Sequence, residues 1–194
     1  MRPEFLAAFR EVAARIAATL VGLPKRSLPV KMYVAGGAAL HLYTGQRLSD
    51  DIDASFSHRI ALPDDLEVSY EGADGSAQLL YFDRQYNDTL GLLHEDAFDD
   101  SQPLKLDGID PAVLDVRLLT PLDLATSKLS RFSGQDRDDI LVLGRLRLID
   151  SAALRRRATE ALGGYVGDVA RVQGSIDVAT RILADLEKRA PKRR

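Results

Sequence analysis

Two short stretches limit the folds open to this chain more than any others. Val34-Ala35-Gly36-Gly37-Ala38-Ala39-Leu40 comes first, and Arg47-Leu48-Ser49-Asp50-Asp51-Ile52-Asp53 follows it, with thirteen residues between Gly37 and Asp51. Lys31 to Val34 reads as a strand, and the Gly pair lets the backbone turn sharply after it. Ala38 to Tyr43 reads as a short helix, closed by Gly45 just past its end. A helix that starts on Gly-Gly directs unpaired N–H groups at whatever lies over the glycines, a setting that favours phosphate. Asp51 to Phe56 then has the pattern of a strand. Residues i and i+2 of a strand share a face, so Asp51 and Asp53 are expected to project together, roughly 6–7 Å apart at the backbone. Paired carboxylates beside a phosphate-seeking helix end suit Mg²⁺ bound together with a nucleotide. Each part alone is weak, since most Gly pairs are turns and most Asp-x-Asp pairs are solvated strand ends. The ordered set of strand, Gly-Gly, helix and Asp-x-Asp is much more specific.

The set resembles the signature of the DNA polymerase beta-like, minimal nucleotidyltransferase superfamily. The wording Gly-Gly-Ala-Ala-Leu and Arg-x-Ser-x-Asp-Ile-Asp further resembles its abortive-infection toxin-like branch of small bacterial proteins. A second block, Leu118 to Leu129 followed by Asp136-Arg137-Asp138-Asp139-Ile140, is similar to a later motif of that branch: a strand, a Pro-started helix with a lysine, then an Asp-x-x-Asp-Ile helix start. The two blocks span about a fifth of the chain. The resemblance implies an α+β minimal nucleotidyltransferase fold, a short mixed sheet flanked by helices. It further implies an NTP as substrate, Mg²⁺ or Mn²⁺ as cofactor, and an RNA 3′ end (perhaps of tRNA) or a protein hydroxyl as acceptor. A cognate antitoxin is the partner it suggests.

On this reading Asp51 and Asp53 hold the metal and Gly36 and Gly37 cradle phosphate. Lys128 offers its charge to the triphosphate or the leaving pyrophosphate. Without the first block, Lys128 would read as a surface lysine. Asp136 and Asp139, one helical turn apart, either orient Lys128 or cap their own helix. Arg47 could clamp a phosphate oxygen, and Ser49 either bonds one or satisfies its loop backbone. The superfamily usually has a third carboxylate on a neighbouring strand, and two candidates are open: Asp83, after Leu79-Leu80-Tyr81-Phe82, and Asp115. The histidines, His41, His58 and His94, are scattered; only His94, beside Glu95 and Asp96, suggests a role, and a structural one fits it best. The alternative to an enzyme is a non-catalytic nucleotide-binding or antitoxin-like module that kept the fold.

The rest of the chain reads as support. An amphipathic helix is expected over residues 3 to 21, with Phe5, Phe9, Val12, Ile16 and Leu20 as its apolar stripe. Leu66 to Tyr70 and Ala77 to Phe82 predict a hairpin around Gly72 to Gly75, with another strand at Thr89 to Leu93. His94 to Pro111, rich in Asp, reads as a solvated loop without the ligand spacing of a calcium loop. Val113 to Leu119 predicts a strand. Thr120, Pro121 and Asp123 then start a helix carrying Lys128 through N-cap, N1 and capping-box positions. Further helices are expected to about Leu148, over Ser151 to Leu162, and over Val166 to Leu186, the last with Val169, Val172, Ile176, Ala179, Ile182 and Leu186 inward.

The 194 residues thus divide into a core with an N-terminal helix over 1–150 and a C-terminal helical segment with a basic tail over 151–194. A net charge of −3 gives no global case for nucleic-acid binding, so Arg155 to Arg157 and the tail from Lys188 to Arg194 are the local candidates for a polyanion, or merely solvated. With no cysteine there is no disulfide and no thiol chemistry, in keeping with the cytoplasm. Charged residues interrupt the N-terminal helix, so no signal peptide is expected, and no stretch predicts a membrane span.

Overall fold

A computed structural model describes residues 2–86 and 91–189. The fold is α+β, with an N-terminal and a C-terminal helix. The chain divides into two compact units: Met1–Tyr86 with Ser101–Leu119, and Asn87–Asp100 with Thr120–Arg194. No described helix is long and apolar enough to cross a membrane.

The first unit opens with helix α1 (Pro3–Leu20), whose N1 position Pro3 takes at no hydrogen-bonding cost. Its stripe of Phe5, Phe9, Val12, Ile16 and Leu20 is buried as the spacing predicts, and it packs on the strands β4 (Glu67–Glu71) and β5 (Ala77–Phe82). Burying each large side chain contributes about 2 kcal/mol, which offsets part of the entropy of ordering the helix. Strand β1 (Val30–Val34) enters helix α2 (Gly36–Thr44), which ends at Gly45 in the left-handed conformation, φ 67°. Asp51–Ile52 (β2) and Ala54–Phe56 (β3) follow, with β6 (Gln102–Pro103) and β7 (Leu114–Leu118) completing the described strands.

These strands form two sheets, ordered β3-β1-β7-β6 and β2-β5-β4, each mixing parallel and antiparallel pairs. Asp51 to Phe56 is therefore not one strand, as its pattern predicts. The chain changes sheets at Asp53: β2 runs parallel to β5, and β3 runs antiparallel to β1. Backbone pairing explains the break, because the Asp53 carbonyl accepts from Ala35 N (2.8 Å) while Ile52 O accepts from Asp83 N (3.1 Å). The hairpin of β4 and β5 forms as expected. Two other segments differ. The strand expected at Thr89 to Leu93 lies partly outside the described residues, and 91–93 belong to no strand. Within the Asp-rich loop, Gln102 and Pro103 pair with β7, so that stretch contributes an edge strand that its composition hides.

The second unit is helical: α3 (Pro121–Ser127), α4 (Gly134–Arg145), α5 (Ser151–Leu162) and α6 (Val169–Arg189). Thr120 caps α3 by accepting from Asp123 N (3.0 Å), as the Thr-Pro-Leu-Asp spacing predicts. Ser133 and Asp136 form a full capping box at α4. Lys128 sits at the C-cap of α3 rather than within it. Two further helix limits are shorter than their patterns suggest, α4 ending at Arg145 and α6 starting at Val169. The inward face of α6 also drifts. Leu183 is buried where the spacing predicts Ile182 and Leu186, and Val169 is 46% exposed. Leu183 packs most closely against Gly144 on α4, where a Cβ would lie 2.4 Å from Leu183 Cδ2 and 3.3 Å from Leu186 Cδ2.

Candidate active site

The Gly-Gly and Asp-x-Asp stretches, apart in sequence, meet at the start of α2. Gly36 has φ +57°, and a Cβ placed on it would lie 1.8 Å from Asp53 Oδ2. A Cβ on Gly37 would lie 2.3 Å from Ser49 Oγ and 3.6 Å from Arg47 Nη1. The two glycines are thus needed for room and, at Gly36, for conformation. The Asp53 carboxylate covers one of them, and Ser49 with Arg47 covers the other. Ser49, only 5% exposed, donates from Oγ to Asp51 Oδ1 at 2.6 Å. In this structure the serine orients Asp51, a third possibility beside the phosphate and backbone roles open from sequence.

Substituting Gly36 tests this packing. Asp53 Oδ2 is the free end of a side chain, so Gly36→Ala is expected to displace the carboxylate rather than unfold the protein, at a cost of about 1–2 kcal/mol for the left-handed backbone. Melting should fall by a few degrees, while nucleotidyl transfer should fall as far as in Asp53→Asn. Gly22→Ala, with nothing within 4 Å, serves as the neutral control. Wild-type transfer by Gly36→Ala would show that the Asp53 position is not required.

His41 holds the loop that carries Arg47. It is fully buried on α2 against Phe5, with ring centroids 4.5 Å apart. Its Nδ1 lies 3.1 Å from both Gln46 O and Arg47 O, and Nε2 accepts from Arg2 N at 3.2 Å. These partners require a neutral ring with its proton on Nδ1. Burial lowers its pKa below 6.5, outweighing the two carbonyls that would raise it. The lowered folded value means that the unfolded chain takes up the proton first. The contribution of His41 is therefore complete above about pH 6.5 and lost as pH falls through the folded value. Melting temperatures from pH 8 to pH 5 should drop more steeply for wild type than for His41→Leu, and parallel curves would contradict this.

The two candidates for a third carboxylate separate clearly. Asp83 follows β5, which pairs in parallel with β2 through Asp51↔Tyr81 and Ile52↔Phe82, so Asp83 stands beside Asp53 at the strand ends. Asp115 pairs with Lys31, three residues before Val34 on β1, roughly 10 Å of strand from the Asp53 end. It is bound to Arg117 at 3.1 Å, and Arg117 is itself held by Ser101. Of the two, only Asp83 adjoins the pair.

Sequence reading passed over Tyr81. It lies directly across from Asp51 on one side and Glu67 on the other. Its phenol is held above the usual range, first by the Asp51 carboxylate, then by desolvation and by Asp83, Asp50 and Asp53. The only signal in the sequence is a tyrosine on the alternating, outward face of β5.

Among the described residues no three His, Cys, Asp or Glu side chains converge as a metal-holding group. Asp51 and Asp53 supply hard oxygen donors. Mg²⁺ typically takes one or two carboxylates and completes its shell with substrate phosphate and water, so this pair fits a cation that arrives with a nucleotide.

Lys128 belongs to the second unit. It is 7% exposed, and its ammonium lies 2.7 Å from Asp139 Oδ2 and 3.9 Å from Asp136 Oδ1. Asp136 also accepts from Arg131 and Ser133. Burial would raise its pKa, yet these hydrogen bonds and the Lys128 charge lower it to about 2. Asp136 and Asp139 thus do hold Lys128, and Asp136 caps its helix as well. The arginine run of α5 is divided. Arg155 pairs with Asp177 (2.8 Å), Arg157 pairs with Asp123 (2.8 Å) and Asp100 (2.7 Å), and Arg156 is exposed. In the tail, Lys188 pairs with Asp185 (3.2 Å), and Lys192, Arg193 and Arg194 lie outside the described residues.

A search of curated proteins and a search of solved structures each gave no match. A family model described as "Nucleotidyltransferase of unknown function (DUF6036)" matches residues 13–167, a span that holds both motif blocks. With Gly36, Gly37, Ser49, Asp51 and Asp53 brought together at the head of α2, the chain belongs to this nucleotidyltransferase family.

Proposed function

We propose that the protein transfers a nucleoside monophosphate from an NTP to an acceptor hydroxyl, with Mg²⁺ or Mn²⁺ held by Asp51 and Asp53. The observation that carries this reading is the packing of Asp53 and Ser49 onto Gly36 and Gly37 within a chain of this family. The first turn of α2 presents N–H groups with no acceptor inside the helix, suited to phosphate oxygens. Arg47, above Gly37, adds a cation on the same side. Ser49 keeps Asp51 in place through its 2.6 Å bond. The bound cation would neutralise phosphate charge. In the reaction the acceptor oxygen forms a bond to the α-phosphorus, the bond to the bridging oxygen breaks, and pyrophosphate leaves with that electron pair. The acceptor's proton passes to solvent.

The motif resemblance favours an RNA 3′ end, such as that of tRNA, or a protein hydroxyl as acceptor. It also favours a cytoplasmic toxin restrained by a cognate antitoxin. The ion pairs of Arg155 and Arg157 leave α5 with less free positive charge than its sequence suggests, so the polyanion site expected there is reduced. A second reading is a nucleotide-binding or antitoxin-like module without catalysis. It draws support from Asp115, which is tied to Arg117 away from the pair and leaves Asp83 as the one adjoining candidate of the two.

One experiment separates the two. The full chain is incubated with each α-labelled NTP, Mg²⁺ or Mn²⁺, total cellular RNA and cell protein. Transfer predicts label on RNA or protein, with pyrophosphate released. Nucleotide binding without label in any combination would replace the enzyme by the module.

A further inference from the structure

Beside the carboxylate pair lies a cleft of about 470 Å³, lined among others by Asp64, Glu67, Tyr81, Asp83 and Arg84, all in the first unit. Tyr81 is the residue that links the two. It stands one strand spacing, about 4.8 Å, from Asp51, and it is 37% exposed with Leu79 (43% exposed) two residues before it on the same face. We propose that this cleft is the nucleoside subsite of the enzyme, with the NTP base stacked on Tyr81 and its amino-bearing edge turned to the carboxylates of Asp64, Glu67 and Asp83.

The inference rests on the nucleotidyl-transfer reading and adds the part of the substrate that the Gly-Gly and Asp-x-Asp motifs do not address. A nucleoside is joined to its α-phosphate through one short linkage, so its base must lie close to the carboxylate pair, and the cleft comes close to it at Tyr81, the strand neighbour of Asp51. The volume of the cleft is within the usual range for a small-molecule site. An exposed aromatic ring on a sheet surface is a sequence-tolerant stacking platform. The lining then selects among bases. Carboxylates of Asp64, Glu67 and Asp83 only accept hydrogen bonds when ionised. Arg84, which donates to the Pro63 carbonyl, and the Gln85 amide are donors in the lining, and the three carboxylates outnumber them. Adenine, cytosine and guanine offer exocyclic amino donors, whereas uracil offers carbonyl acceptors beside its single N–H.

The test is calorimetric titration of the full chain, in Mg²⁺, with the non-hydrolysable α,β-methylene analogues of CTP and UTP and with inorganic tripolyphosphate. Wild type is expected to bind the cytidine analogue several-fold more tightly than the uridine analogue. Tyr81→Ala should weaken the cytidine analogue about tenfold and leave tripolyphosphate unchanged, while Tyr81→Phe stays near wild type. A nucleotide bound no tighter than tripolyphosphate, equal affinities for the two pyrimidines, or an equal loss on all three ligands in Tyr81→Ala would each overturn the subsite. In those cases nucleotidyl transfer would still stand. No binding of any of the three would overturn both. The pyrimidine comparison needs no variant, so it decides the matter even if Tyr81→Ala folds poorly.

Discussion

Asp51→Asn and Asp53→Asn are each expected to cut nucleotidyl transfer by about 100-fold or more while moving the melting temperature by only a few degrees. Each substitution removes one negative charge from the oxygen pair and keeps the side chain's shape. In Asp51→Asn the amide oxygen would still accept from Ser49 Oγ, so the loop stays anchored. At position 53 the backbone carbonyl, not the side chain, carries the sheet-linking bond to Ala35 N. The fold therefore loses little, and the loss falls on the affinity for a cation and on the charge balance of the transferring phosphoryl group. Initial rates with labelled NTP and thermal melting, measured on the same preparations, check the claim. Wild-type rates in both variants would remove the metal assignment.

The largest effect on stability is expected from Lys128→Ala. From the sequence, Lys128 serves a phosphate, and its loss should spare the fold. Its burial reverses that expectation for stability. Removing the ammonium takes away the cation 2.7 Å from Asp139, which is 1% exposed and to which the neutral Gln135 amide donates at 3.2 Å. Asp136 keeps Arg131 and Ser133 and stays ionised at neutral pH, so most of the cost comes from Asp139. Breaking a buried ion pair by removing one member costs about 3–5 kcal/mol, a fall in melting temperature of about 10 °C for a chain of this size. The double variant Lys128→Ala with Asp139→Asn should recover part of the loss, because the carboxylate charge goes with the ammonium. If Lys128→Ala melted within about 2 °C of wild type, the pair would have no structural weight.

Much of this protein was legible in its sequence, for reasons that can be named. Local rules set local structure: the 3.6-residue spacing of Phe5 to Leu20 makes α1, Gly45 stops α2, and Thr120-Pro121-x-Asp123 starts α3. The Gly-Gly and Asp-x-Asp set was also readable, because room for a carboxylate over a glycine is a requirement on residue type that no other residue meets. Tertiary structure decided what depends on partners distant in the chain. Asp53 ends one sheet and begins another because Ala35 and Asp83 claim the backbone on either side, and no period in residues 51–56 encodes that. The choice of Asp83 over Asp115 as neighbour follows from strand register. Lys128 became a buried ion pair because α4 places Asp136 and Asp139 against it, whereas sequence left open whether they orient Lys128 or cap their own helix. Tyr81 gained its place from pairing with Asp51 across thirty residues of chain. Sequence determines what each residue can do, and long-range pairing determines which of those capacities meet in one place.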